Sequence, residues 1–148
     1  MLIAVTVTVI ITDLNGKVRY EMAKKIMVVD DDPDLREATE IVLSSAGYSV
    51  ALAASAAEAL EMIKTTPVDL FILDVMMETD TEGFHLAYKI REMDKHKKTP
   101  IVMLTCIEEK TGQVLDPEKA GDFLPVQGFL RKPMDAKTLK AKVAELLK

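Results

Sequence analysis

Four strand-like runs in this sequence end on a residue able to do chemistry. "KIMVV" leads into Asp30-Asp31, "LFIL" into Asp74, "IVML" into Thr105 and "GFLR" into Lys132. A carboxylate at the end of a buried run needs a partner or a task, because burying a charge is unfavourable. Three carboxylates gathered together repel one another and resist ionising. A hard divalent cation removes that penalty, and oxygen donors suit Mg²⁺. An ammonium and a hydroxyl beside them complete a site for a tetrahedral phosphoryl group. One carboxylate can then act as the nucleophile and form an acyl phosphate. Such a transfer rests mainly on positioning and charge neutralisation, which this set supplies. Taken singly, Asp74 could cap a strand, Thr105 could be a satisfied strand-end hydroxyl and Lys132 a surface lysine. Their shared position at strand ends is what argues for chemistry.

The elements that must hold them are legible from Lys24 onward as strands alternating with helices. "KIMVV" is a continuous apolar strand. Asp32-Pro33 then starts a helix, with a side-chain acceptor at the cap and proline in the first turn. That helix is expected to bury Leu35, Ala38, Ile41 and Val42 and to stop near Gly47. "YSVALA" is the next strand, and Ser55 with Glu58 forms a capping-box pattern before "AAEALEMIK". "DLFIL", "PIVML" and "GFLR" are three further strands, and "GFHLAYKIREM" is a helix between the first two. Asp135 caps a last helix with Leu139, Val143 and Leu146 on its buried stripe. Near-continuous apolar strands alternating with amphipathic helices imply an α/β fold with a parallel sheet covered on both faces. In such a sheet the C-terminal strand ends share one edge, where ligands bind. Residues scattered over about a hundred positions would therefore meet there.

Residues 1–23 differ in character. Val5, Val7, Val9 and Ile11 alternate, Asn15-Gly16 signals a turn, and Val18, Tyr20 and Met22 alternate again. That pattern predicts a β-hairpin. A second reading takes "MAKKIMVVDDD" from Met22 as the start of the native chain and the preceding residues as a non-native extension.

Composition narrows the function classes. With 148 residues, 49% hydrophobic and 29% charged, the chain suits one ordinary domain with a full core. A net charge of −5 argues against a nucleic-acid surface. No apolar stretch is long enough to span a bilayer. The lone cysteine, Cys106, cannot close an internal disulfide, and a reducing, cytoplasmic setting is expected. His85 and His96 lack partners at ligand spacing and are both expected to be exposed.

The motifs "IMVVDDDPDLR", "LFILDVMM", "IVMLT" and "GFLRKP", in that order on their strands, resemble the receiver domain of two-component response regulators. The resemblance covers roughly Lys24 to Lys148, leaving residues 1–23 as an extension. It implies a doubly wound (βα)5 flavodoxin-like three-layer sandwich with strand order 2-1-3-4-5. It also implies Mg²⁺ as cofactor. A sensor histidine kinase or histidine phosphotransfer protein would be the phosphodonor, and a downstream protein the target. Carried over by position, Asp74 is the phospho-acceptor, and Asp31 is a direct metal ligand with Asp30 beside it. Met76 supplies a backbone carbonyl to the metal. Thr105 is the switch hydroxyl, Lys132 pairs with the phosphate, and Phe129 is the switch aromatic. The Lys132-Pro133 bond is expected to be cis.

The sequence also departs from that family. Glu78 stands where proline is expected, and Gly83 comes one residue late, so the loop beside Asp74 is longer and more acidic. Between Thr105 and Phe129, Gly112, Pro117, Gly121 and Pro125 interrupt any helical pattern. A fourth helix there is expected to be short or irregular, and that remodelled face implies a non-standard partner. A homodimer is left open. Met76 and Ile107 flank the path of the attacking water by resemblance, and slow self-dephosphorylation is expected of two apolar side chains there.

The leading expectation is a stand-alone, non-enzymatic receiver that switches partner binding, without nucleic acid or membrane. No helix-turn-helix pattern follows the last helix. One alternative is a phosphorylation-independent binding module. Another is an aspartyl-phosphate phosphatase, which would need a carboxylate where Met76 stands.

Overall fold

The computed structural model describes residues 8–75, 77, 82–106, 126–132 and 135–147. Two strands form an antiparallel hairpin, β1 (Thr8–Thr12) and β2 (Val18–Met22), with Thr8 opposite Met22 and Thr12 opposite Val18. Gly16 takes a positive φ of 74° in the connecting turn, and Asp13 Oδ1 accepts from the amides of Asn15 and Lys17. Leu14 and Ile10 are largely exposed on this hairpin.

The main body alternates strand and helix: β3 (Lys25–Val29), α1 (Pro33–Ser45), β4 (Ser49–Ala53), α2 (Ala56–Ile63), β5 (Leu70–Asp74) and α3 (Glu82–Glu92). β6 (Ile101–Cys106), β7 (Gly128–Lys132) and α4 (Ala136–Leu146) complete it. The five main-body strands pair in parallel in the order β4-β3-β5-β6-β7. Counted within that sheet the order is 2-1-3-4-5, the doubly wound arrangement expected from the resemblance. A helix within 107–125 and the Lys132-Pro133 bond both lie outside the described residues.

Local chemistry explains the helix ends. Asp32 caps α1 by accepting from the amides of Asp34 and Leu35. Gly47, at φ 96°, ends α1 while Tyr48 N–H returns to the Leu43 carbonyl. Ser55 accepts from Glu58 N–H at 3.1 Å, and Glu58 reaches back to the Ala54 amide. Asp135 caps α4 through the Thr138 amide, and those donors hold its carboxyl below its ordinary range.

Two apolar layers cover the sheet. Met27, Val29, Phe71, Leu73 and Met103 pack with Ile63 of α2 and Leu86 and Ile90 of α3. Val28, Ile72, Leu104 and Leu130 pack with Leu43 of α1 and Leu139 and Val143 of α4. Each such side chain contributes about 1.5–3 kcal/mol when fully buried. The core is therefore what holds the strand ends in register.

Two expectations are corrected. On α1, Ala38 and Ile41 are exposed, while Thr39 and Leu43 are buried. The stripe runs through residues 35, 39, 42 and 43, because Thr39 neutralises its hydroxyl locally by donating to the Leu35 carbonyl at 2.7 Å. His96 is also buried, at 3% exposure, whereas His85 is exposed as expected. A 3-10 turn (Asp94–His96) tucks the ring edge-on to Phe71, with centroids 5.1 Å apart. Its Nδ1 lies 2.9 Å from Thr99 Oγ1. Burial, then the neighbouring Lys95 and Arg91 charges, push its pKa below the ordinary value. The flanking lysines made this turn read as solvated, and a tertiary contact buried the one residue between them.

Candidate functional site

Strand β3 ends at Val29, so Asp30 leaves the sheet at its C-terminal edge. Its amide still donates to the Ala53 carbonyl of β4 at 3.1 Å. Strand β5 carries Asp74 as its last residue, paired across to Leu104 of β6. Thr105 and Lys132 lie at the same edge, on β6 and β7. The sheet thus brings together Asp30, Asp31, Asp74, Thr105 and Lys132 at one edge.

Side chains alternate across a strand, and this sorts the group. Val28, Ile72 and Leu130 face α1 and α4, so two residues on, Asp30, Asp74 and Lys132 continue that face. Met103 and Phe129 belong to the other layer, and Thr105 continues it. The switch pair of the resemblance, Thr105 and Phe129, therefore lies on the face opposite the acids and lysine. Phe129 is partly buried against that layer.

Lys132 is the central cation. Its Nζ lies 2.9 Å from Asp30 Oδ2 and 3.3 Å from Asp74 Oδ2. Asp30 and Asp74 are 1% and 4% exposed, so these are buried pairs in which the attraction is little screened. Asp30 Oδ1 also accepts the Asp32 amide at 3.0 Å. Carboxylate oxygens of Asp30, Asp31 and Asp74 all lie within 4.8 Å of one another. Among the described residues three acids cluster around one lysine, and Asp31 is exposed at the mouth. The donor set is all oxygen, clustered at this spacing and short of positive charge, which fits a hard divalent cation. Met76, expected to lend its carbonyl, lies outside the described residues, as do Glu78, Asp80 and Ile107. The side chain of Cys106 does too.

Two further residues support the acids: Arg36, which ends the first motif and had no role assigned, and Gly83, noted only for its late position. Arg36 Nη1 donates to the Asp30 carbonyl at 2.8 Å. Gly83 opens α3 against the end of β5, its amide donating to the Val75 carbonyl at 3.1 Å. A Cβ there would strike the Asp74 carbonyl oxygen and lie 2.8 Å from Val75 Cα. Although it comes one residue late in sequence, Gly83 packs directly against the Asp74 backbone. Position alone could have flagged it; the identity of its neighbour could not be read from spacing.

Residues 26–144 match the family described as response regulator receiver domain. The chain belongs to that family. It is 33% identical over 125 residues to the transcriptional regulatory protein GltR of Pseudomonas aeruginosa, covering 84% of this chain and 49% of that protein. It is 35% identical over 124 residues to the sensor histidine kinase TmoS of Ectopseudomonas mendocina, covering 83% of this chain and 12% of the kinase. The receiver thus spans about half the length of the regulators it matches. Among solved structures, chemotaxis protein CheY4 of Vibrio cholerae superposes with a TM-score of 0.74 at 31% identity, covering 84% of this chain and 99% of the other. A putative response regulator from Chloroflexus aurantiacus superposes with a TM-score of 0.73 at 33% identity, covering 84% and 98%. No helix among the described residues is long and apolar enough to cross a membrane.

Proposed function

We propose that this receiver accepts a phosphoryl group on Asp74 from a histidine kinase or histidine phosphotransfer protein, in a Mg²⁺-dependent reaction, and thereby switches its affinity for a downstream protein. The observation that carries the reading is Lys132 bridging Asp30 at 2.9 Å and Asp74 at 3.3 Å beside an exposed third acid. A carboxylate oxygen of Asp74 attacks phosphorus, a P–O bond forms, and the P–N bond to the donor imidazole breaks. The imidazole leaves with its electron pair and takes up a proton. Asp30, Asp31, Asp74 and the Met76 carbonyl would hold the Mg²⁺. Bound there, the cation neutralises charge on the phosphoryl oxygens. Lys132 exchanges a carboxylate oxygen for a phosphoryl oxygen, keeping a charge-assisted bond throughout. Thr105 reaches the phosphoryl group from the opposite face, and its movement admits Phe129 to a new position.

Near-complete switching needs about 5 kcal/mol of differential interaction between the two states. Residues 24–148 act as the receiver unit in this reading, residues 1–23 are an extension, and output passes through protein contacts in the cytoplasm. A phosphatase is disfavoured because Met76 offers no second acid.

Intact mass after incubation with Mg²⁺ and a small-molecule phosphodonor tests the proposal. One added phosphoryl group, absent in Asp74→Ala, is expected. No adduct with Mg²⁺ demonstrably bound would turn the reading to a phosphorylation-independent binding module.

A further inference from the structure

Resting on the Mg²⁺-dependent reading above, we infer that Arg36 is a positioning residue: through the Asp30 carbonyl it fixes the Asp30–Asp31 peptide and so aims the Asp31 carboxylate at the cation site. Asp30 is held from every side. Its amide bonds Ala53, its Oδ2 bonds Lys132, and its Oδ1 accepts from Asp32. Asp31 differs. It is exposed, and its side chain makes no hydrogen bond among the described residues. The direction of its carboxylate depends on the backbone beneath it.

That backbone is restrained at the decisive atom by a side chain six residues on. A peptide is planar, so the carbonyl of Asp30 and the amide of Asp31 turn together. Arg36 Nη1 grips that carbonyl at 2.8 Å. The base of the arginine is itself fixed, because its own amide donates to the Asp32 carbonyl at 3.0 Å in the first turn of α1. Asp32 anchors the same turn by capping it. Helix cap, arginine and acidic pair therefore form one closed loop of contacts. A hydrogen bond from a charged donor is among the stronger kinds.

Charge and position make opposite predictions for the same substitution. Arg36 is a cation near three acids, so acting by charge alone it would oppose Mg²⁺, and its removal would tighten metal binding. Acting as a positioner, its removal frees Asp31 and weakens binding.

The test is Mg²⁺ titration by calorimetry on wild type, Arg36→Gln and Arg36→Lys, with metal-free urea unfolding of each. Phosphodonor rates over the same Mg²⁺ range complete it. Arg36→Gln should bind Mg²⁺ about tenfold more weakly, the lower end of what losing one charge-assisted bond represents. Its rate at saturating Mg²⁺ should stay near wild type, and Arg36→Lys, which keeps the charge and should fold, should also bind more weakly. Tighter or unchanged binding in both variants would overturn the positioning role and leave Asp74 phosphorylation standing. A wild type that binds no Mg²⁺ would overturn both readings.

Discussion

Replacing Gly83 by alanine should damage this receiver far more than a glycine-to-alanine change in a helix usually does. The new Cβ would meet the Asp74 carbonyl oxygen in overlap, Val75 Cα at 2.8 Å and the Asp74 carbonyl carbon at 3.0 Å. All three are backbone atoms, so no rotamer change relieves the clash. Overpacking typically destabilises by about 1–3 kcal/mol, and contacts with backbone belong at the upper end. Alanine gains at most about 1 kcal/mol over glycine in helix propensity, and less in a first turn. The net loss is about 2 kcal/mol, or roughly 4–8 °C in Tm for a chain of this size. A second effect follows from where α3 must move. Pushing it off β5 displaces Asp74 from Lys132, now 3.3 Å away. A shift of about 1 Å at a reacting group can lower a rate on the order of a hundredfold. Urea unfolding by circular dichroism reads the first effect, and the rate of the mass adduct reads the second. A Gly83→Ala protein as stable as wild type would refute the close packing of α3 on β5.

Other outcomes follow from the same geometry. Lys132→Met removes the cation shared by two buried carboxylates and should destabilise by about 3 kcal/mol, with part recovered by adding Asp30→Asn, as urea unfolding of single and double variants would reveal. Mg²⁺ at a hundred times its dissociation constant should stabilise the wild type by about 2.7 kcal/mol and Asp31→Asn by clearly less, read as shifted melting with and without chelator. His96 gives a pH dependence whose sign is fixed. Its folded pKa lies below the ordinary 6.5, so as pH falls the unfolded chain takes up the proton first. Its contribution is complete above about pH 6.5 and declines below it. Unfolding between pH 5 and 8 should show a flatter profile for His96→Gln than for wild type.

Much of this architecture is written in local patterns. The Asp32-Pro33 cap, the Ser55/Glu58 box and the Asp135 cap act over three or four residues, and α1, α2 and α4 start where they stand. The acids could be grouped from sequence because parallel strands deliver their C-terminal ends to one edge, whatever the distance along the chain. Pairwise geometry was decided elsewhere. Lys132 meets Asp30 across 102 positions, and no spacing rule predicts that it bridges Asp30 and Asp74 together. Alternation along each strand put Thr105 and Phe129 on the face away from the acids, a division that needs the register of neighbouring strands. His96 looked solvated among lysines and is buried because Phe71 comes to lie against it. Gly83 and Arg36 acquire their roles only when α3 and α1 dock on the strand ends. Caps and apolar periods are properties of a few consecutive residues. Which atoms touch at the site depends on how whole elements pack, and that is a property of the folded chain alone.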